Sequence, residues 1–170
     1  ADRLVKFPFP TATSTSVVIT AVPNSNLFGT VCAKGAAASN CFRNPSGVAV
    51  SSDCNGTGCI WIVDQSNNRV VRYSIPTVPV PFQFVLGQPN AAAYLPKAPP
   101  DIASLNTPTG VSVVDGQMAI ADAGNHRILL WNSIPTTSGQ PADVVIGQPD
   151  GQTGDANAPE QIAPLRFSSP

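Results

Sequence analysis

The sequence predicts an all-β protein that is built from repeated four-stranded antiparallel sheets. Two segments share one spaced pattern: Pro-x-Gly-Val-x-Val, then an apolar run that ends in Asp, then a turn that leads into Arg. The pattern begins at Pro45 and again at Pro108, 63 residues later, and a fixed period of this kind indicates a repeated supersecondary unit. The apolar residues come in short β-branched runs, and the 18 prolines in 170 residues disfavour long helices.

Each complete unit contains four predicted strands, which are bounded by the turn-forming residues Gly, Pro, Asn and Asp. In the first complete unit the strands are 47–52, 60–64, 69–74 and 82–86. In the second they are 110–114, 118–121, 127–132 and 143–147. The chain therefore divides into three parts: 1–43, the back half of a unit and its connection; 44–106, a complete unit; and 107–170, a complete unit and the start of the next.

The repeat also includes a Gly-Gln-Pro-Asn/Asp segment after the last strand of each unit. It stands at 87–90 and recurs at 147–150. A connection of about twenty residues then leads towards the following unit, and connections of this length without structure of their own are typically functional or packed on something. Four-stranded antiparallel units that repeat along a chain are typical of β-propeller blades.

These motifs resemble the NHL repeat. Residues 125–128, Asn-His-Arg-Ile, are close to the motif that gives that repeat its name, and residues 67–70, Asn-Asn-Arg-Val, are a variant of it. The Gly-Gln-Pro segments are similar to the longer repeat of bacterial secreted NHL proteins. The resemblance covers nearly the whole chain and implies a β-propeller of NHL type, of which the chain would hold about two and a half blades. One departure lies near the start: Asp2 directly precedes Arg3, so this copy of the turn is shortened.

A propeller closes only when its first and last blades meet. Two and a half blades would leave open sheet edges, which proteins normally avoid. We therefore expect further blades from the same chain or from other chains.

The composition argues against two classes of partner. Charged residues make up 11% of the chain, against about 25% in ordinary globular proteins, and the net charge is −1. Nothing in the sequence forms a basic stripe, so we expect no nucleic-acid binding, although some NHL proteins bind RNA through a basic face. No run of 18 apolar residues is present, and we expect no transmembrane segment.

The four cysteines indicate two local disulfides. Cys54 and Cys59 lie at the tip of a hairpin that is longer than its counterpart in the next unit, and Cys32 and Cys41 bracket another loop. Two such pairs are typical of an extracytoplasmic protein. The alternative is one zinc site with four cysteine ligands, but such pairs usually have spacings of two to four residues and converge. Here the gaps are eight and four residues, and the loops should lie on opposite faces.

The acidic residue that ends each second strand, Asp64 or Asp122, has two interpretations. A ring of such residues could bind a metal at the mouth of a channel. Alternatively, each Asp accepts backbone N–H bonds in its own turn, and the following arginine pairs between blades. Repetition in every unit favours the architectural role. The residues to which we assign it are Asp64, Asn68, Arg69, Asp122, Asn125, His126 and Arg127.

His126 is the only histidine of the sequence, and it could act as a general base or a metal ligand. Its place in the repeated turn favours a hydrogen bond instead. NHL-type lyases that process amidated peptides use histidines with zinc and calcium, and one histidine makes such a site hard to assemble. We therefore predict no catalytic residue, no cofactor and no metal in this chain.

The long connections are the strongest functional indication. Their apolar residues Tyr94, Leu95, Ile162 and Leu165 could contact a protein partner, or they could pack on their own blade. The sequence thus predicts a non-enzymatic extracytoplasmic binding or scaffold module that contacts a protein partner through its loop-rich face. The alternative is part of a propeller enzyme, of the lyase or lactonase type, whose catalytic residues lie in other blades.

Overall fold

The computed structural model describes residues 30–31, 37–38, 41–51, 58–74, 84–156 and 170, and this part of the chain is all-β. The strands are β1 (Thr30–Val31), β2 (Cys41–Phe42), β3 (Pro45–Ser51), β4 (Cys59–Asp64), β5 (Arg69–Ser74), β6 (Phe84–Leu86), β7 (Gly110–Val114), β8 (Gln117–Asp122), β9 (Arg127–Trp131) and β10 (Val144–Ile146). Two single turns of 3-10 helix, Gln65–Asn67 and Ala123–Asn125, join β4 to β5 and β8 to β9. Among the described residues, no helix has the length and apolar character that a membrane crossing requires.

The two complete units each form one four-stranded antiparallel sheet. Strands β3, β4, β5 and β6 are neighbours in chain order, and so are β7, β8, β9 and β10. The short strands β1 and β2 pair in parallel. The predicted all-β class with four-stranded antiparallel units is confirmed. Residues 1–29, which hold most of the predicted half unit, lie outside the described residues.

Local turn chemistry fixes the hairpins. Asp115 and Gly116, both with positive φ (50° and 77°), form the two-residue loop between β7 and β8, for which Asp-Gly is a favoured sequence. Each 3-10 turn ends in a left-handed residue, Asn68 with φ 53° or His126 with φ 52°. Asn and His are among the residues enriched in that conformation.

The main core lies between the two sheets, which pack face to face. One face of β4, β5 and β6 contributes Trp61, Val63, Val70, Phe84 and Leu86, and the facing surface of the second unit contributes Leu105, Met118, Ile120, Leu129 and Trp131. Each fully buried aliphatic side chain of this kind stabilises the fold by about 1.5–3 kcal/mol. The opposite face of the first sheet carries a second cluster: Phe42, Ile60, Ile62, Val71, Tyr73 and Val85.

The first strands of the two units, β3 and β7, lie side by side. The Ser46 hydroxyl lies within hydrogen-bond distance of the Pro108 carbonyl oxygen (3.4 Å) and of the Thr109 carbonyl oxygen (3.3 Å). The same contact recurs one unit later, where the Thr109 hydroxyl donates to the Pro170 carbonyl at 2.9 Å. Pro170 therefore lies beside the second sheet as Pro108 lies beside the first.

The second unit also reaches back to the outer strand of the first. In the loop between β9 and β10, the Ser138 hydroxyl accepts from the Val85 N–H at 3.2 Å. The Gly139 N–H donates to the Val85 carbonyl at 2.9 Å. Both backbone groups of Val85, on the free side of β6, are thereby bonded.

Two of the four cysteines lie in the described part. Cys41 and Cys59 are buried, and neither is a free thiol. Their predicted partners, Cys32 and Cys54, lie outside the described residues, so the pairings 32–41 and 54–59 stay predictions.

Candidate functional site

The loop-rich face comprises the turns 65–68 and 123–126 with the connections 87–109 and 147–156. The Asp64 carboxylate is one of the fully buried polar groups beneath it. One oxygen, Oδ1, accepts from the Arg43 backbone N–H at 2.7 Å, while Oδ2 accepts from Asn67 Nδ2 at 2.9 Å and from Arg69 Nε at 2.7 Å. The side chains of Asp64 and Arg69 are fully buried. Three donors and an opposite charge thus satisfy the carboxylate inside the protein.

The second unit repeats this cluster atom for atom. The carboxylate of Asp122 accepts from the Asn106 N–H at 2.7 Å, from Asn125 Nδ2 at 2.8 Å and from Arg127 Nε at 2.8 Å. Burial raises the pKa of Asp122 above its ordinary value, and the three hydrogen bonds and the Arg127 charge oppose that rise. In each unit the backbone donor belongs to the residue two positions before the proline that opens the repeat pattern, Pro45 or Pro108, and not to the Asp's own turn as the sequence interpretation had it.

Each arginine of these clusters binds the connections on both sides of its sheet. Arg69 Nη1 donates to the Ala91 carbonyl at 2.6 Å, and its Nη2 donates to the carbonyls of Cys41 (2.9 Å) and Ala38 (3.1 Å). In the second unit, Arg127 donates to the carbonyls of Gly151, Asp101 and Ser104 at 2.8, 2.7 and 3.0 Å. The guanidinium therefore organises the loop-rich face from within, and its fork of donors suits this role because the donors have fixed directions.

The left-handed residue of the first turn also binds the connection 87–109, at two points. Asn68 Nδ2 donates to the Tyr94 carbonyl at 2.7 Å, and Asn68 Oδ1 accepts from the Thr107 N–H at 2.7 Å. His126 occupies the same position in the second turn, and its carbonyl accepts from Gln148 Nε2 at 3.1 Å. In the described part of the chain, no three His, Cys, Asp or Glu side chains come together in a way that could hold a metal ion.

The Gly-Gln-Pro-Asn/Asp segments have a role that sequence reasoning did not assign. Gln88 Nε2 donates to the carbonyls of Asn68 and Leu95 at 3.0 and 3.1 Å, which ties the connection to the turn. Gln148 Nε2 makes the equivalent bonds, to the carbonyl of His126 in the second turn at 3.1 Å and to that of Asp155 in the connection at 2.9 Å. Two residues after each glutamine, the side chain of Asn90 or Asp150 accepts from two backbone N–H groups and closes a tight turn. The recurrence of the segment 60 residues later was the signal that could have revealed this role.

We expect Gln88→Glu to loosen the connection that this side chain holds. The change removes two hydrogen bonds and brings a carboxylate towards two carbonyl oxygens at a position that is 4% exposed. The free energy of unfolding should fall by about 2–3 kcal/mol, as measured by urea denaturation. Gln88→Met, which removes the donors without adding charge, serves as the matched control and should cost less. Equal stability of Gln88→Glu and the wild type would show that the carboxamide does not hold the connection.

A cleft of about 570 Å³ lies on this face, between the connection that follows β6 and the loop that contains Gly139. Its lining is mainly apolar and includes Pro89, Ala93, Tyr94 and Leu95. Leu95 is 68% exposed. The structure thus brings together two of the four predicted partner-facing residues; the other two, Ile162 and Leu165, lie outside the described residues.

One ion pair stands at the edge of the cleft, between Lys97 and Asp101. Partial burial raises the pKa of Asp101, but hydrogen bonds from Lys97 and from the Ala103 N–H outweigh it, so the pKa lies below its ordinary value. The Asp101 carboxylate is therefore ionised near neutral pH and balances the lysine. A partner would therefore meet an apolar cleft, with an ion pair of zero net charge at its edge.

Comparisons with known proteins identify no family to which the chain belongs. No protein-family model matches it, and a search of curated proteins finds no match. The resemblance to NHL repeats therefore stays an interpretation of the sequence motifs.

Proposed function

We propose that the two sheets are neighbouring blades of an NHL-type β-propeller and that the chain is a non-enzymatic, extracytoplasmic binding or scaffold module. The face-to-face packing of the sheets, with the first strands β3 and β7 side by side, supports the propeller arrangement. The contact of Ser46 with Pro108 and the matching contact of Thr109 with Pro170 support it further. The buried cysteines, neither of them a free thiol, favour an oxidising compartment.

The two outer faces of the sheet pair support further blades. Val63 and Val70 are fully buried between the sheets, whereas their counterparts in the second unit, Ala121 and Ile128, are only partly buried. On the other side, Val48 and Val50 are 51% and 62% exposed, while their counterparts in β7 pack against the core. Each outer face thus repeats one half of the interface that the two sheets already form, and a further blade from this chain or another would cover it.

The observation that carries the binding role is the apolar cleft at Tyr94 and Leu95. Hydrogen bonds from the buried residues Asn68, Arg69 and Gln88 hold the backbone of the connection that forms its wall. A partner therefore meets a surface that is already ordered, which reduces the entropy lost on binding. Apolar clefts with a few fixed polar groups are typical binding sites. A protein partner would place an apolar side chain in this cleft.

Selection of binders from a displayed random-peptide library tests the proposal. Peptides selected on the wild-type chain should bind Leu95→Asp at least tenfold more weakly, because the substitution places a charge in the apolar cleft. Val114→Asp is the matched control, since Val114 is 62% exposed and lies at the far end of β7. Its affinity for the same peptides should be unchanged.

Two outcomes would count against this function. Selected peptides that bind Leu95→Asp as tightly as the wild type would show that the cleft is not the binding surface. Peptides that lose affinity for Val114→Asp alone would place the binding surface at the opposite end of the sheet.

A further inference from the structure

Arg72, on β5, is a buried cation that the repeated architecture does not explain. It is 6% exposed, and it lies in register between Trp61 on β4 and Phe84 on β6. Its guanidinium carbon is 4.9 Å from the centre of the Phe84 ring and 5.9 Å from that of Trp61. Leu130 occupies the equivalent position of the second sheet. A charge that is absent from the second copy is not required by the blade itself.

This guanidinium has no anionic partner within the described part of the chain. The ion pairs found there involve Arg69, Lys97 and Arg127 instead. The Nε of Arg72 is buried and has no acceptor. Burial lowers the pKa of Arg72 because a cation is poorly solvated there.

A second unpartnered donor lies on the neighbouring residue. The indole N–H of Trp61 is also buried without an acceptor, and Trp61 itself is fully buried. Buried donors without partners are rare in proteins, and each costs about 1–3 kcal/mol, more where the group is charged. The two residues that carry these donors, Trp61 and Arg72, stand in register on the neighbouring strands β4 and β5.

We infer that Arg72 and Trp61 form a binding site for a carboxylate group. A carboxylate offers two oxygens and one negative charge, which matches a guanidinium with a neighbouring N–H donor. A doubly charged phosphate would bring one more negative charge than this cation neutralises in a poorly solvated place. The carboxylate belongs either to a free small molecule or to an acidic residue of a partner, and the chemistry of recognition is the same.

Titration of the intact chain with sodium acetate tests this inference, with sodium chloride at equal ionic strength as the reference. Tryptophan fluorescence is the readout, because Trp61 is one of two tryptophans. We expect a saturable change and a rise in Tm of about 3–6 °C at ten times the Kd. Arg72→Met should abolish both effects. Arg72→Lys should weaken binding at least tenfold, because the lysine lacks the planar fork.

A matched variant and a peptide complete the experiment. Arg43→Met makes the same chemical change at a partly exposed arginine and should leave the acetate response unchanged. A blocked tripeptide with a central glutamate distinguishes the two sources of the carboxylate. If it gives the saturable response as well, the site admits an acidic side chain of a partner; if acetate alone does, the ligand is a small molecule.

Three results would overturn the inference. The first is the absence of a saturable response in the wild type, and the second is an unchanged response in Arg72→Met. The third concerns Asp53, an acidic residue of the segment between β3 and β4 that lies outside the described residues. An acetate response that appears only in Asp53→Asn would show that the chain's own carboxylate occupies the site.

Discussion

Asp122→Ala should lower the free energy of unfolding by about 3–5 kcal/mol, because it leaves the fully buried Arg127 without its counter-ion. The same substitution removes the acceptor of the Asn106 N–H and of the Asn125 amide. The loss should appear as a lower midpoint in urea denaturation, with an unchanged slope if unfolding stays cooperative. Since domains of this kind are stable by about 5–15 kcal/mol, this one change removes a large share of the total.

Asp155→Ala is the control for that experiment. Asp155 is exposed and lies on the same loop-rich face, and only its backbone carbonyl takes part in a described hydrogen bond. Its removal should change the free energy of unfolding by less than about 0.5 kcal/mol. A loss below about 1 kcal/mol for Asp122→Ala would contradict the structural role of the buried pair.

Gly87→Ala should also destabilise the protein, by about 2–5 kcal/mol. Gly87 has a φ of 85°, and an added Cβ would lie 2.5–2.7 Å from three side-chain carbons of Leu105. One of those carbons is the Cβ of Leu105, so a change of side-chain rotamer cannot relieve the contact. Leu105 is itself buried in the core between the sheets, which leaves it little room to move.

Gly116→Ala separates the two causes of this effect. Gly116 has a similar φ of 77°, but an added Cβ would meet nothing within 4 Å. Its cost should therefore be the backbone strain alone, about 1–2 kcal/mol. Equal costs at the two glycines, measured by urea denaturation, would show that Leu105 does not crowd Gly87.

The all-β class and the strands of both units could be predicted because their signals are local. Short apolar runs predict strands, and the turn residues that bound them predict where the strands end. Both units have these signals. Several strand boundaries differ from the predicted ones by one or two residues. Strand β3 starts at Pro45 instead of residue 47, with an irregular register between Pro45 and Gly47. Strand β10 starts at Val144 instead of residue 143, and the Asp143 carboxylate accepts from the Asn132 N–H.

The candidate site was less accessible to sequence reasoning because it depends on distant contacts. Repetition showed that Asp64 and Arg69 belong together, but Arg43, whose N–H binds Asp64, stands 21 residues earlier. The cleft needs Gly139 from the next unit, and no local pattern connects it with Leu95. The burial of Arg72 could not be predicted, because in the sequence an arginine on a strand is normally a solvent-exposed residue.

The bonds from Ser138 and Gly139 to the backbone of Val85 have a consequence for solubility. An outer strand with unpaired N–H and C=O groups is a template on which other chains can aggregate. In this protein the following unit occupies those groups on β6 with a loop of its own. If each added unit bonds the outer strand of the unit before it in this way, a longer array of units has no more unpaired strand edges than a short one. Duplication of a repeat unit would then enlarge the binding surface of the protein without adding an exposed strand edge at which chains could aggregate.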